Sequence, residues 1–117
     1  MMDKRAELTA VADALTAGGV PSAIDPRDLT PPAAWVHLGP WVYDVLCGDA
    51  SSLQMVVDLV APDSGVAESM GMLEDLETIT VMILGPPRGP VTPTTLQLPD
   101  SGTALPCYRL TYDVVVS

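Results

Sequence analysis

Two clusters of proline limit where helices and strands can lie in this chain. Of its 12 prolines, four fall within residues 20–32 and four within 86–93. Each proline fixes its own φ angle, lacks a backbone N–H and biases the preceding residue away from helix. The two segments are therefore predicted to be stiff connectors, a Pro-rich connector over 20–32 and a Pro-rich loop over 86–93.

A first helix is predicted over residues 3–17. Apolar side chains recur there at helical spacing, and the glycine pair at 18–19 is a typical helix end. Asp3 is the expected N-cap. The residues of the narrow apolar stripe are Leu8, Val11, Ala12 and Leu15.

A second helix is predicted over residues 64–84. Asp63 or Ser64 is the expected cap, and Gly85 followed by two prolines is a typical stop. The expected buried stripe consists of Val66, Met70, Leu73 and Leu76, with Glu74, Asp75 and Glu77 facing water.

Five strands are predicted, three within residues 34–61 and two within 94–116, because β-branched and aromatic residues alternate there with polar ones. Their expected bounds are 34–38, 41–47, 53–61, 94–98 and 108–116. The second and third are expected to form an antiparallel hairpin around a turn at 48–52. The element order α-β-β-β-α-β-β predicts a single α+β domain over residues 1–117, with two helices on one face of a mainly antiparallel sheet.

The net charge of the chain limits the classes of partner that it is expected to bind. The chain has 15 acidic and five basic residues, for a net charge of −10. A surface of this sign repels phosphate, so nucleic-acid binding and docking on anionic membranes are not expected. No targeting or membrane-spanning segment is expected either. Cys47 and Cys107 predict a reduced intracellular fold, with a disulfide between them as the alternative.

Candidate catalytic groups are few. His37 is the only histidine and lies within a predicted strand, and a dyad with Cys47 or Cys107 would require the fold to bring them together. No Gly-x-Ser-x-Gly motif is present. We therefore predict no enzyme activity, no cofactor and no catalytic residue.

Two acidic pairs are candidate metal ligands, Asp25 with Asp28 and Asp44 with Asp58. Both pairs lack the dense oxygen-ligand spacing of a calcium loop. Asp44 and Asp58 are instead expected on the exposed polar side of the hairpin, and no metal site is predicted.

The best candidates for a partner interface are aromatic residues and stiffened loops. Tryptophan is enriched at interface hot spots, and proline lowers the entropy lost on docking. Core packing of the tryptophans and simple stiffening of the loops are the competing interpretations. The candidates are Trp35, Trp41, Pro31, Pro32, Pro86, Pro87 and Arg88.

The order of these segments along nearly the whole chain resembles the tail terminator family of long, non-contractile-tailed phages that infect actinobacteria. The resemblance is carried by an opening helix that ends in Gly-Gly, by the Pro-rich segments and by the entry to the last strand. The matching stretches are Gly18–Gly19, Asp25–Arg27, Leu29–Val36, Val60–Gly65, Gly89–Pro93 and Leu105–Pro106.

This resemblance implies a structural virion protein in the neck of the tail, assembled in the host cytoplasm. It implies a hexameric ring that caps the tail tube, stops its polymerisation and offers a docking surface to the head-side connector. Genomic DNA would pass through the ring without specific binding. The acids expected to line the channel are Asp44 and Asp58, or Glu74, Asp75 and Glu77.

The sequence is compatible with two alternative functions. Another neck component, such as a head–tail connector or head-completion protein, would share the size, the fold class and the ring. A free acidic adaptor that mimics DNA would instead need acids arrayed along one face, whereas here they are dispersed through every segment.

Overall fold

Three strands of eleven residues form the centre of a five-stranded sheet with the order β1-β2-β3-β5-β4. The computed structural model describes residues 4–43, 50–99, 102 and 104–115, and the side chains of all of these except 40–43, 50–52 and 114–115. The elements are α1 (Lys4–Ala17), β1 (Ser22–Ala23), a 3-10 turn (Pro26–Asp28), β2 (Ala33–Tyr43), β3 (Ala50–Val60), α2 (Val66–Leu84), β4 (Thr92–Leu96) and β5 (Leu105–Val115). The short β1 runs parallel to β2, and the other three pairs are antiparallel. The predicted α+β class is confirmed.

The strand predicted at 34–38 and residues 41–43 of the one predicted at 41–47 belong to a single strand, β2, so the prediction of a break at Gly39–Pro40 is wrong. Residues 44–47 of the second predicted strand lie outside the described residues. Gly39 and Pro40 lie at a register shift between β2 and β3: Leu38 pairs with Met55, and Trp41 pairs with Leu53. Three steps along β2 thus match two along β3, which is the geometry of a β-bulge and accommodates a proline without an N–H. The predicted antiparallel hairpin of β2 and β3 is confirmed, although residues 50–52 belong to β3 and not to its turn.

Other boundaries differ by a few residues. The 20–32 connector contains β1, whose pairing with β2 no apolar pattern indicated. The edge strand β4 begins at Thr92, two residues before its predicted start, and Pro93 lies within it. Because β4 pairs with β5 alone, the missing N–H of Pro93 leaves no unpaired site in the sheet.

The core lies between the helices and one face of the sheet, which we call the front face. Strand alternation places Ala34, Val36, Val57 and Leu110 there, all without solvent exposure. Leu15 of α1 and Leu73 of α2 belong to the same buried cluster. The opposite, back face carries the alternate residues of β2, β3 and β5, and the candidate site lies on it.

Helix α1 ends as predicted. The Val20 N–H donates to the Leu15 carbonyl and the Gly19 N–H to the Thr16 carbonyl, which is a Schellman motif. Gly19 has a φ of +103°, a conformation that favours glycine. A side chain at Gly18 would collide with that of Ile83, so this glycine permits the close approach of α1 to α2.

The buried face of helix α2 is rotated around the helix axis relative to the predicted apolar stripe. Leu73 and Leu76 are buried as expected, but Val66 is 79% exposed and Met70 is 46% exposed. Ser69 and Thr80 are buried in their place. The cap is also different, because the N-cap is Gly65 and the Ser69 hydroxyl reaches back to the Pro62 carbonyl at 2.9 Å.

The end of α2 is fixed to β5 by a hydrogen bond. The Tyr112 hydroxyl donates to the Gly85 carbonyl at 3.0 Å, and Gly85 caps the helix with its N–H on the Val81 carbonyl. Burial, followed by the nearby negative charge of Glu77, raises the pKa of Tyr112 to about 12. The phenol therefore remains a donor throughout the neutral range.

Among the described residues, neither helix has both the length and the apolar character required to cross a bilayer.

Candidate functional site

An aspartate with no exposed surface, Asp58, lies at the centre of the back face. The strand register brings it between two functional neighbours, because Asp58 pairs with Trp35 on β2 and with Arg109 on β5. Laterally paired residues of an antiparallel sheet point to the same face. His37, two residues after Trp35, shares this face as well.

Asp58 receives hydrogen bonds from both sides. Nε2 of His37 lies 2.7 Å from Oδ2, and since an ionised carboxylate only accepts, this nitrogen carries the proton and donates. Arg109 makes a bidentate contact, in which Nε donates to Oδ1 at 2.9 Å and Nη2 donates to Oδ2 at 3.3 Å. Both carboxylate oxygens are thus satisfied, as a buried charge requires.

Trp35 completes this cluster, which we call the Asp58 cluster (Trp35, His37, Asp58 and Arg109). Its ring stacks on the imidazole of His37 with centroids 3.9 Å apart. Its indole N–H donates to the carbonyl of Ile24 at 3.2 Å, which ties the Pro-rich connector to β2. The stacking limits rotation of the imidazole, so His37 is held in the orientation that serves Asp58.

Opposing effects set the ionisation of Asp58. Burial favours the neutral acid and acts to raise the pKa, but the hydrogen bonds from His37 and Arg109, together with their charges, outweigh it. The pKa of Asp58 is consequently lower than its ordinary value. The carboxylate is ionised at neutral pH, and its charge is balanced within the sheet.

Cys107 lies on this face but is not placed to form a dyad with His37, which agrees with neither residue being predicted as catalytic. Cys107 pairs with Val60, which pairs with Ala33, four residues before His37 on β2. Burial and then the charge of Asp58 raise the pKa of the Cys107 thiol to about 12, so it is not a nucleophile at neutral pH. The alternative dyad with Cys47 lies outside the described residues.

The exposed parts of the Asp58 cluster are cationic and aromatic. The carboxylate lies at the bottom with no exposure, whereas 44% of the Arg109 side chain and 22% of the His37 side chain reach solvent. A chain with a net charge of −10 therefore presents a guanidinium, an imidazole and an indole on this face. Such a surface offers N–H donors and aromatic rings to a partner.

The acids predicted to line a channel differ in their exposure. Glu74 and Asp75 are exposed on α2 and Glu77 is half-buried. The prediction that Asp58 lies on an exposed polar side is wrong, because Arg109 and His37 hold it inside the sheet. Asp44 lies outside the described residues.

The predicted interface residues lie on different parts of the surface. Trp35 is half-buried in the Asp58 cluster, and the side chain of Trp41 lies outside the described ones. Arg88 donates to both oxygens of Asp113 and holds the 86–93 loop against β5. The four prolines are exposed at Pro32 and Pro86 and half-buried at Pro31 and Pro87.

Metal-ligand groups do not converge in the part of the chain that the structure describes: it contains no set of three or more His, Cys, Asp or Glu side chains placed to hold an ion. Asp25, a candidate metal ligand with Asp28, instead caps the 3-10 turn and pairs with Arg27 at 2.9 Å. Arg27 lowers the pKa of Asp25 by its side-chain and backbone hydrogen bonds.

The sequence pattern does not indicate the pairing of Asp58 with His37 and Arg109. The available signal was an aspartate inside the apolar run from Met55 to Ala61, since aspartate is seldom fully buried without a partner.

No protein-family model matches the sequence, and no curated protein matches it significantly. The similarity to tail terminators therefore remains a prediction.

Proposed function

We propose that this protein is a phage tail terminator, a structural protein that forms a hexameric ring on the tail tube, stops tube growth and receives the head-side connector. The motif order along the chain supports this proposal, and so does the distribution of its surfaces. Because both helices pack on the front of the sheet, the back face is left to present the Asp58 cluster.

The observation that carries the proposal is the presence of two unlike surfaces on opposite sides of one small domain. The back face presents Arg109, His37 and Trp35, whereas α2 exposes Met70 and Met82 beside acidic residues. A closed ring of identical subunits uses two different patches on each copy. A domain with two unlike, opposed patches meets that requirement.

The proposed function requires no catalysis, because a terminator acts through the shape and the contacts of its ring. One side of the ring would repeat the six-fold contacts of the tube, and the other would lack what a further tube ring binds. The chain's net charge of −10 gives six copies a formal −60. An anionic channel repels DNA phosphates and lets the genome pass without adhering.

Native mass spectrometry of the purified protein, alone and with purified tail tubes, tests the proposal. We expect a six-subunit species, and negative-stain images with a ring at one end of each tube. Tubes capped in this way should no longer extend when tube protein is added. A ring that joins the portal side of filled capsids and leaves tube growth unchanged would favour a different neck component. A protein that stays monomeric on tubes would contradict both roles.

A further inference from the structure

Strand β4 forms one outer edge of the sheet, and its sequence favours pairing with a further strand. Three of its five residues are threonines, which are β-branched, and none is charged. Thr92, Pro93 and Thr95 are exposed. An uncharged outer strand with an exposed backbone is a template on which a strand of another molecule can pair. Charged side chains are a common protection against such pairing, and β4 has none.

The hydrogen bonds of β5 determine which residues of β4 point away from the sheet. The Ala61 N–H donates to the Pro106 carbonyl, so the backbone of Pro106 faces β3. Successive residues of a strand direct their N–H and C=O groups to opposite sides. Cys107 therefore faces β4, where its register partner is Thr94.

A contact further along β5 agrees with this orientation. Thr111 is four residues after Cys107 and so faces the same side, and its carbonyl accepts from the Arg88 N–H of the 86–93 loop. The odd-numbered residues of β5 thus bond on the side of β4, and the even-numbered ones on the side of β3.

The same alternation applies to β4. Because Thr94 bonds to β5, Pro93 and Thr95 direct their backbone groups away from the sheet. Pro93 has no N–H. Within β4 the outward edge therefore has a single backbone donor, that of Thr95, where any residue other than proline at position 93 would give two.

The opposite edge of the sheet is protected in another way. Strand β1 pairs with Ala34 and Trp35 at the start of β2, and the β-bulge at Gly39–Pro40 interrupts the rest of that strand. Coverage by another segment and β-bulges both disfavour pairing at a sheet edge. Pro93 is the corresponding feature of β4.

We propose that Pro93 closes the β4 edge to strand addition, so that the sheet of one copy is not extended by a strand of another copy. A strand placed on this edge would have a carbonyl without a donor opposite Pro93, and a buried carbonyl without a partner opposes binding. Copies of this chain therefore contact one another through side chains and not by continuation of the sheet. This inference goes beyond the proposed function and does not depend on the ring.

Amide hydrogen exchange tests the orientation of the edge. We expect the Thr95 N–H to exchange at least 100-fold faster than the Thr94 N–H, both in the isolated protein and in any assembly that it forms. Thr95→Pro should leave the urea midpoint of unfolding unchanged, whereas Thr94→Pro should lower it, because only Thr94 donates to β5. A protected Thr95 N–H would show that the edge is occupied and would overturn the inference.

Pro93→Thr supplies the missing donor and tests its consequence. We expect sedimentation velocity to show association between copies at least tenfold tighter than in the wild type, with exchange of the Thr95 N–H slowed at high protein concentration. Pro86→Thr, which replaces an exposed proline outside the sheet, is the matched control and should behave as the wild type. Pro93→Thr combined with Thr95→Pro moves the proline two residues along the same edge and should restore wild-type association.

A folded Pro93→Thr protein that associates no more than the wild type would overturn the inference, as would association that Thr95→Pro does not reverse. Pro93→Ala replaces Pro93→Thr if the latter does not fold, because alanine also restores the N–H. A ring on tail tubes in which the Thr95 N–H is protected would overturn this inference and leave the proposed function standing. A chain that forms no ring, but associates once Pro93 is replaced, would refute the proposed function alone.

Discussion

Arg109 on β5 and Asp58 on β3 face each other across the sheet, with Nε 2.9 Å from Oδ1 and the carboxylate wholly buried. The two residues are 51 positions apart in the chain, and the strand register alone brings them together. Removal of one partner of a buried charge pair leaves the other uncompensated, which is strongly destabilising. The Asp58 cluster therefore links three strands of the sheet and, through Trp35, the connector.

We expect Asp58→Asn to lower the free energy of unfolding by about 2–3 kcal/mol at pH 7, below the full cost of a broken buried pair because Arg109 can turn to solvent. His37, Arg109 and the Cys107 thiol are the titratable groups that face this carboxylate. Its pKa is lowered by folding, so its contribution is present above about pH 4 and is lost as the pH falls through the folded-state pKa. Urea unfolding of both proteins from pH 7 to pH 3 should show the difference shrinking in acid.

The exposed Asp63→Asn is the matched control for this series, and we expect a change within about 0.5 kcal/mol. An Asp58→Asn protein as stable as the wild type at pH 7 would show that the ion pairs do not stabilise the sheet. A difference that stays constant down to pH 3 would contradict the lowered pKa.

The fold was more predictable from sequence than the site. The 3.6-residue period of 3–17 and the alternation of 108–116 are local signals, and they located α1 and β5. The exposure predicted for Asp58 was wrong because alternation of apolar and polar residues predicts that the polar ones face solvent. Its partner Arg109 is 51 residues away in the chain, so no local pattern connects the two. Residues in contact across a sheet are fixed by register, which local periodicity does not reveal.

The rotation of α2 has a similar cause. Val66 and Met70 fit an apolar stripe, but Ser69 turns inward because its hydroxyl donates to the Pro62 carbonyl. This contact orients the first turn and leaves Met70 at the surface. Apolar residues at helical spacing predict which face of a helix is buried. They do not predict that a polar residue with a hydrogen-bond partner inside the protein is buried too.

Thr80 offers a stabilising substitution. Its side chain is fully buried, and its hydroxyl oxygen has no hydrogen-bond partner. Because a buried polar atom without a partner costs about 1–3 kcal/mol, we expect Thr80→Val to raise the free energy of unfolding by about 1 kcal/mol. Chemical denaturation measures this. Thr78→Val, an exposed change on the same helix, should have a much smaller effect, and a destabilised Thr80→Val protein would contradict the assignment.

Cys107 should be unreactive while the protein is folded. Burial and the charge of Asp58 raise its pKa to about 12, so almost no thiolate forms at pH 8. We expect alkylation of Cys107 by iodoacetamide, followed by peptide mapping, to be at least 100-fold slower in buffer than in 8 M urea. Comparable rates in the two solvents would show that this thiol is accessible and would reopen a chemical role for it.

Tyr112 makes the fold sensitive to alkali. Its pKa is raised from 10.0 to about 12, so the folded state favours the neutral phenol and loses stability as the pH rises above 10. We expect Tyr112→Phe to lower the free energy of unfolding by about 1 kcal/mol at pH 7, because the bond to the Gly85 carbonyl is lost. The variant should also lose less stability between pH 9 and pH 11. An unchanged alkaline profile would contradict the shift.

Tail length in particles assembled without this gene is the most direct test of the central claim. Electron microscopy of lysates from the deletion should show tubes that exceed the normal length and fail to join filled capsids, and a plasmid copy of the gene should restore both. Tails of normal length attached to filled heads in the deletion would contradict the account.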